Sequence, residues 1–477
     1  MTPPAVDLRL LVPELVVTAT AVAVMLAGLF LPAGRQHLLR WLAAVGTLAA
    51  LGTTLTAGAD PTPAFAGMYV RDALTRVIQA TALLAVLLAQ WLSGEYVERT
   101  GLETGEYYAL MLVAALGAML MAASSDLIML FLGLETLSIP LYVLAAFART
   151  DLRSQEAGLK YFLLGAFGTA FFLYGIALLF GATGSTGYRA LAEHARTPAV
   201  IFQAGLALLT IGLAFKAAVV PFHFWAPDVY EGAPLPATAY MSVIAKVGAF
   251  AAFLRVYVVA LAAQAGEWSP LLAAISVLTM IVGNVAALRQ TSIKRLLAYS
   301  SIAHAGFILT GVVAGTPSGA SAVAFYLLAY TFMTLGAFAV VLMLHRRGEE
   351  ADQIADLSGV AWRAPALGGA MALFMVSLAG LPPTAGFLAK FYVFTAALDA
   401  GQIGVVVTGV LTSVVSAYYY LRVAYTMFTG QPHEDVGFAG GRWVTAALVT
   451  ASAGVVVLGI FPGRVISFVQ QVGQALR

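Results

Sequence analysis

Lysine and arginine together number 25, yet only five of them are lysine: Lys160, Lys216, Lys246, Lys294 and Lys390. Three of the five stand well inside apolar stretches, in GLAFKAAVVPFHFW (Lys216), MSVIAKVGAFAAF (Lys246) and GFLAKFYVF (Lys390). Chance would have scattered lysine among the polar connections as well. Arginine keeps its proton in proteins, whereas a buried lysine shifts its pKa readily and can give one up. A buried amine that must alternate between charged and neutral therefore has to be lysine. The competing explanation is snorkelling, in which the stem lies in apolar surroundings and the ammonium reaches a polar surface.

Two further residue types extend this chemistry. Glu135, in LIMLFLGLETLSIPLYVLAAF, is the clearest acid deep within an apolar run. A lone carboxylate there is protonated or paired, and Lys216 is the obvious candidate partner; the plainer role is a neutral glutamic acid that hydrogen-bonds two helices together. His304, in RLLAYSSIAHAGFILTGVV, follows Ser300 by four residues and shares its helix face. Histidine, hydroxyls and water can form a proton wire, or the ring can simply bridge two helices. His223 falls beside Pro221 and could serve the freed backbone there. Lys160 and Lys294 fall at the ends of apolar runs, where anchoring charges belong. Arg255 and Arg422 read as snorkelling residues, and Tyr418, Tyr419 and Tyr420 as packing or interface aromatics.

The elements that must hold these residues are set by composition. The 477-residue chain is 61% hydrophobic and 10% charged, against about 25% charged in soluble proteins. The bilayer is the natural solvent for it. A net charge of +2 without a basic run gives no sign of nucleic-acid binding. Absence of cysteine excludes disulfides, thiolate zinc and cysteine-held iron–sulfur clusters within this chain. No H-E-x-x-H and no phosphate-cradling glycine loop is found.

Crossing a bilayer takes roughly 20 apolar residues. Stretches that long are expected near 10–31, 41–59, 73–93, 107–123, 127–147, 157–181, 199–222, 235–260, 269–287, 296–314, 319–344, 365–380 with 384–398 as two broken halves of one span, 402–428 and 442–462. The fold class is thus all-α integral membrane, with about fourteen spans. The first reads as a retained helix, since it is too long for a signal-peptide core and contains Pro13 and Glu14. The longest connection, 345–364, begins charged and should lie in water. Prolines interrupt two spans, at GLAFKAAVVPFHFWAPDVYEGAP and SLAGLPPTAGFLAKFYVF. Broken helices at membrane depth survive where they are buried or line a wet cavity, and paired breaks often mark a transport site; a simple kink is the bland alternative.

Alternate connections differ in arginine and lysine. One side carries Arg35, Arg40, Arg99, Arg149, Arg153, Arg289, Lys294, Arg295, Arg346, Arg347, Arg363 and Arg442; the other carries Arg9, Arg71, Arg189, Arg196, Arg464 and Arg477. The richer side is expected to face the cytoplasm, which puts both termini outside.

Long stretches then make a family recognisable: LFLGLETLSIPLYVL, FKAAVVPFHFWAPDVYEGAPLPATAYMSVIAKVGAF, IKRLLAYSSIAHAGF and LAGLPPTAGFLAKFYVF. The chain resembles the antiporter-like membrane subunits of respiratory complex I, the proton-pumping NADH–quinone oxidoreductase, and among them the subunit N group. Lys390 fits that group, where the subunit M group has Glu, and no lateral-helix extension like that of subunit L follows. The resemblance implies two inverted five-helix repeats, each with a Pro-broken helix: three N-terminal helices (1–106), a first repeat (107–262), a second (263–430) and a C-terminal helix (431–477). It implies a proton relay through Glu135, Lys216, Lys246, His304 and Lys390, with the other membrane subunits of complex I and the lipid bilayer as partners. No cofactor is expected in this chain; NADH and quinone would be substrates of the whole complex, in a bacterial inner membrane. The rivals are a subunit of a multisubunit cation/proton antiporter and a structural spacer without its own channel.

Overall fold

A computed structural model of the chain describes residues 8–102, 104–346 and 349–475; Arg347 and Arg477 lie outside them. The first part runs α1 (Val12–Phe30), α2 (Leu38–Thr56), a hairpin of β1 (Asp60–Ala64) and β2 (Tyr69–Arg71), α3 (Ala73–Thr100), α4 (Gly105–Ala123), α5 (Leu127–Ala145) and α6 (Leu152–Thr183). Short α7 (Tyr188–His194) leads to α8 (Val200–Ala217), α9 (Trp225–Gly232) and α10 (Leu235–Phe253), which a π-helical turn extends to Ala260. Then come α11 (Ala265–Ala287), α12 (Ile293–Val313) and α13 (Pro317–Leu342). A small antiparallel sheet follows, with β3 (Leu344–Arg346) between β4 (Glu349–Glu350) and the later β5 (Val436–Phe438). The chain closes with α14 (Val360–Arg363), α15 (Pro365–Ala379), α16 (Ala385–Asp399), α17 (Ile403–Phe428), α18 (Arg442–Ile460) and α19 (Gly463–Ala475).

Thirteen helices among the described residues are long and apolar enough to cross a membrane, by length and composition. A fourteenth span comes in two pieces, α15 and α16, around Pro382 and Pro383. The all-α membrane architecture expected from the sequence is the one observed. The 345–364 connection is not bare loop: β3 and β4 lie within it, and Arg346 pairs with Asp356 and Asp435. Beyond α18 stands α19, a further amphipathic helix packed on α13 and α3 that the sequence reading had merged into one C-terminal helix.

Helices in lipid gain little from apolar burial against one another, so small residues that allow close backbone contact decide which pack. Gly117 on α4 faces Gly133 on α5, and a Cβ at Gly117 would stand 2.2 Å from the Leu137 nitrogen. The same device joins α6 to α8, where a Cβ at Gly175 would stand 2.6 Å from the Leu209 nitrogen. Burial separates the helices into two kinds. The apolar stretches of α10 and α12 are 94% buried, whereas those of α1, α2 and α18 are 33% buried. A helix hydrophobic all round is one surrounded by protein or lipid on every side; α10 and α12 are surrounded by protein, and they carry Lys246 and His304.

One buried ion pair ties the layers together. Arg255, on the π-helical turn, meets both oxygens of Asp72 at 2.6 and 2.7 Å, and also donates to Thr75 and the Ala122 carbonyl. It is 2% exposed, so the expected snorkelling is corrected: with its acid so near, the guanidinium stays in. Burial works against the Asp72 charge, but Arg255 and Thr75 outweigh it and hold the carboxyl below the usual carboxylate range. Arg422 likewise turns inward, onto the carbonyls of Leu288 and Gln290 just past α11.

Candidate functional site

Lys246 lies at the middle of the molecule, 2% exposed. Its Nζ donates to Ser301 Oγ of α12 at 2.5 Å, and the Tyr230 hydroxyl of α9 stands 3.2 Å from the same Oγ. The Tyr330 ring of α13 is 5.8 Å from the ammonium nitrogen. One turn along α12, His304 has a hydroxyl at each ring nitrogen: Tyr326 at 2.7 Å from Nδ1 and Tyr420 at 3.1 Å from Nε2. Tyr420 also bonds Ser300. Ser300 and His304 do share a helix face, and Tyr420 is what they share it for. A neutral imidazole has one donor and one acceptor nitrogen. A hydroxyl can play either part, so this ring can reverse its tautomer without losing a partner.

The two lysines beside the breaks are held differently. α8 ends with Ala218 in the left-handed region (φ 57°), and the amide nitrogens of Ala218 and Val219 bond back to Phe215 and Ala214. α15 ends in the same motif, with Gly380 at φ 84° and bonds from Gly380 and Leu381 to Ser377 and Val376. Lys216 sits in the last turn of α8, 2% exposed, with no hydrogen-bond partner on Nζ and the rings of Tyr142 and Tyr161 at 5.6 and 5.5 Å. Tyr161 stacks on Trp225, and Trp225 approaches Tyr230, so aromatic rings lead from Lys216 towards Ser301. Lys390, on α16, donates to the Ala379 carbonyl at 2.9 Å and lies 4.5 Å from the Phe307 ring.

The remaining expected residues are more scattered. Glu135 is half-buried on α5 and accepts a 2.7 Å hydrogen bond from Thr169 of α6. It makes no ion pair with Lys216, so the direct contact expected from sequence is not present in this arrangement. Lys160 is a partly exposed anchor, bonded to Glu156 and Asp228, and Asp228 and Glu231 are clasped from the other side by Arg295. Lys294 is buried rather than superficial: Glu350 pairs with it, and it donates to the Glu231 carbonyl. His223 is half-buried in the turn between α8 and α9.

Sequence reasoning missed the hydroxyls. Ser301, Tyr230, Tyr326 and Tyr330 are absent from the expected relay, and Tyr420 reads there as packing. One signal was available: Tyr326 and Tyr330 are four apart within an apolar helix, which places two polar tips on one face. Among the described residues, no group of three or more His, Asp or Glu stands close enough to hold a metal ion.

Residues 124–416 match the family model described as NADH:quinone oxidoreductase/Mrp antiporter, TM. NADH-quinone oxidoreductase subunit N of Trichlorobacter lovleyi is 44% identical over 98% of this chain and 97% of that protein. The chain belongs to the subunit N family. A chain of respiratory complex I from Thermus thermophilus, solved with bound aureothin, superposes with a TM-score of 0.82 at 39% identity, covering 95% of this chain and 98% of that one. A chain of the Mrp complex from Dietzia sp. superposes at 0.81 with 22% identity, over 98% of each chain, a likeness of fold alone. Family membership and the apolar helices together make this a membrane-embedded protein.

Proposed function

We propose that the chain is a proton-translocating subunit of an NADH–quinone oxidoreductase, driven by redox chemistry in neighbouring subunits. NADH and quinone are substrates of that whole complex, and this chain carries no flavin, cluster or haem. Protons enter near Lys216 from the cytoplasmic side, pass Lys246 and His304, and leave beyond Lys390. Glu135, half-buried on the outer face of α5, senses charge in a neighbouring subunit and resets Lys216. Lys160 and Lys294 organise the cytoplasmic mouth, and His223 serves the first break. The membrane is the inner membrane of a bacterium, with both termini on the periplasmic side. The two breaks belong to two inverted repeats, 107–262 and 263–430, flanked by 1–106 and 431–477.

The observation that carries this reading is Lys246. A spacer has no use for a fully buried amine whose protein hydrogen bond is a single hydroxyl, and a charge at bilayer depth costs about 3 kcal/mol or more. The antiporter alternative is not favoured: relatives at 44% identity carry the name subunit N, whereas the Mrp likeness stands at 22%. The decisive test is Lys246→Arg in the assembled complex, reconstituted in liposomes. Arginine keeps the charge but not the ability to release it. Translocation should fall by about a hundredfold or more, the lower end of what a lost proton-transfer group costs. Wild-type translocation would remove Lys246 from the relay.

A further inference from the structure

A second buried polar knot lies far from the lysine line, between the start of α1, β2 and the first turns of α3. Glu14 is 4% exposed, Tyr69 1%, Arg71 3% and Gln79 1%. Glu14 Oε1 accepts from the Tyr69 hydroxyl at 2.8 Å and lies 2.5 Å from the Gln79 side-chain amide. Arg71 Nη1 donates to the Leu10 and Arg9 carbonyls at 3.2 and 3.4 Å, and the Tyr69 hydroxyl lies 3.2 Å from the same Leu10 carbonyl. Three buried atoms of this one knot have no protein partner: Glu14 Oε2, Gln79 Oε1 and Arg71 Nη2. A free acid oxygen, a free amide oxygen and a free guanidinium nitrogen together are unusual in a protein interior, where buried polar atoms are nearly all paired.

We propose that Glu14 is a proton-binding site in its own right: a carboxylic acid in the arrangement seen, which ionises against Arg71 when its proton leaves. Two geometric facts favour the acid. A separation of 2.5 Å is below the range of an amide N–H donating to oxygen but within that of O–H to oxygen, so the carboxyl donates to the Gln79 carbonyl with the amide turned over, which makes the Gln79 nitrogen the unpartnered amide atom. Arg71 also makes no ion pair with Glu14, although it is anchored to the same Leu10 carbonyl as Tyr69. An ionised Glu14 would leave a buried carboxylate oxygen uncompensated beside an unused guanidinium nitrogen. Loss of the proton therefore has one obvious response, closure of Glu14 Oε2 onto Arg71 Nη2.

Among the described side chains the charged neighbours are few, and Asp60 stands opposite Arg71 in the β1–β2 register. Of the helices packed on α1, α2 carries His37 and Arg40 at the opposite end and α4 carries Glu106 there. On α3, Arg76 turns away to Gln471 of α19 at 2.6 Å, and Asp72 is taken by Arg255. Arg9 lies on the exposed segment before α1. None of the lysines or histidines of the relay touches the knot, so the site stands or falls apart from the proposed function.

Infrared difference spectroscopy of the full chain in lipid vesicles tests this directly, as wild type minus Glu14→Gln. The difference should contain a carboxylic-acid carbonyl band that gives way to carboxylate bands as pH rises. In Arg71→Gln the same change should come about 1–3 pH units higher, because a cation beside a carboxylate is what steadies it. Where Glu14→Gln fails to accumulate in membranes, Glu14→Asp displaces the band instead of deleting it and serves the same subtraction. Absence of the acid band at every pH, a band that pH does not change, or an Arg71→Gln protein that titrates like wild type would each overturn the proposal.

Discussion

The breaks after α8 and α15 are built alike and used differently. Each helix stops on a left-handed residue, Ala218 or Gly380, with the same pair of backward hydrogen bonds, and prolines follow within three residues. Lys216 comes before its break and has no hydrogen-bond partner, only the Tyr142 and Tyr161 rings beside its amine; Lys390 comes after its break and is fixed to the carbonyl of the last α15 residue, Ala379. The difference teaches what a broken helix can offer a buried amine. Ending a helix frees carbonyls. Lys390 consumes one, and is thereby a structural strut as well as a member of the proposed relay. Lys216 consumes none, so its position is set by the stiff rings around it and by whatever charge lies near.

Gly380→Ala should have the largest effect on stability. A left-handed alanine costs about 1–2 kcal/mol. The new Cβ would also stand 2.8 Å from Lys390 Cδ and push the amine from the Ala379 carbonyl, at about 1–3 kcal/mol for the orphaned group. Denaturant titration of the full chain in mixed micelles should show a loss of about 2–5 kcal/mol. A loss below the backbone term alone would mean that the Lys390 contact is weak and the two breaks are more alike than their geometry says.

Next in size is a contrast. Lys390→Met keeps the length of the stem and strands the Ala379 carbonyl, so it should cost about 1–3 kcal/mol in the same titration. Lys216→Met strands nothing and removes a buried polar group without a protein partner, so it should not lower stability and should raise it by about 1–3 kcal/mol. Both should abolish translocation. Equal losses of stability from the two would erase the distinction between strut and free amine.

A smaller effect, opposite in sign to that of Gly380→Ala, belongs to the first break. Ala218 carries the left-handed strain that Gly380 avoids (φ 57° against 84°). Ala218→Gly relieves about 1–2 kcal/mol of strain and gives back about 0.4–1 kcal/mol through a more flexible unfolded chain. Strain wins, and a gain of up to about 1.6 kcal/mol is expected. A loss would show that the Ala218 methyl packs well enough at the break to outweigh its backbone.

How much of this the sequence could say follows from where each signal is written. Span positions, both breaks and the buried lysines were legible because apolar runs, proline and lone charges are local features. Ser300 and His304 were placed on one face by their spacing, and Tyr420 confirms the face without having been foreseen. Tyr420 comes from α17, over a hundred residues later, and no period within one helix reports what a distant helix brings to it. Arg255 was misread for the same reason. A guanidinium near a span end snorkels by default, and only the fold reveals Asp72 within 3 Å of it. Glu14 was noted as an oddity of the first helix; the companions that make it a site come from β2 and α3.

The smallest expected effect bears on Glu135 and Lys216, which the sequence paired and the structure keeps apart. Glu135 is engaged by Thr169 on α6, and Lys216 has no polar partner. Residues that share no hydrogen-bond partner and feel one another only through the field should couple weakly in stability, so a double-mutant cycle of Glu135→Gln and Lys216→Met should close within about 0.5 kcal/mol. Translocation should behave otherwise. If both act in one relay, either substitution alone stops it, and the second adds nothing. Additive in stability and non-additive in translocation is the signature of two groups coupled by field and by sequence of events rather than by contact. A stability coupling above about 1 kcal/mol would mean that the resting protein holds them as an ion pair. Lys216 would then be as firmly fixed as Lys390, and the contrast between the two breaks would be lost.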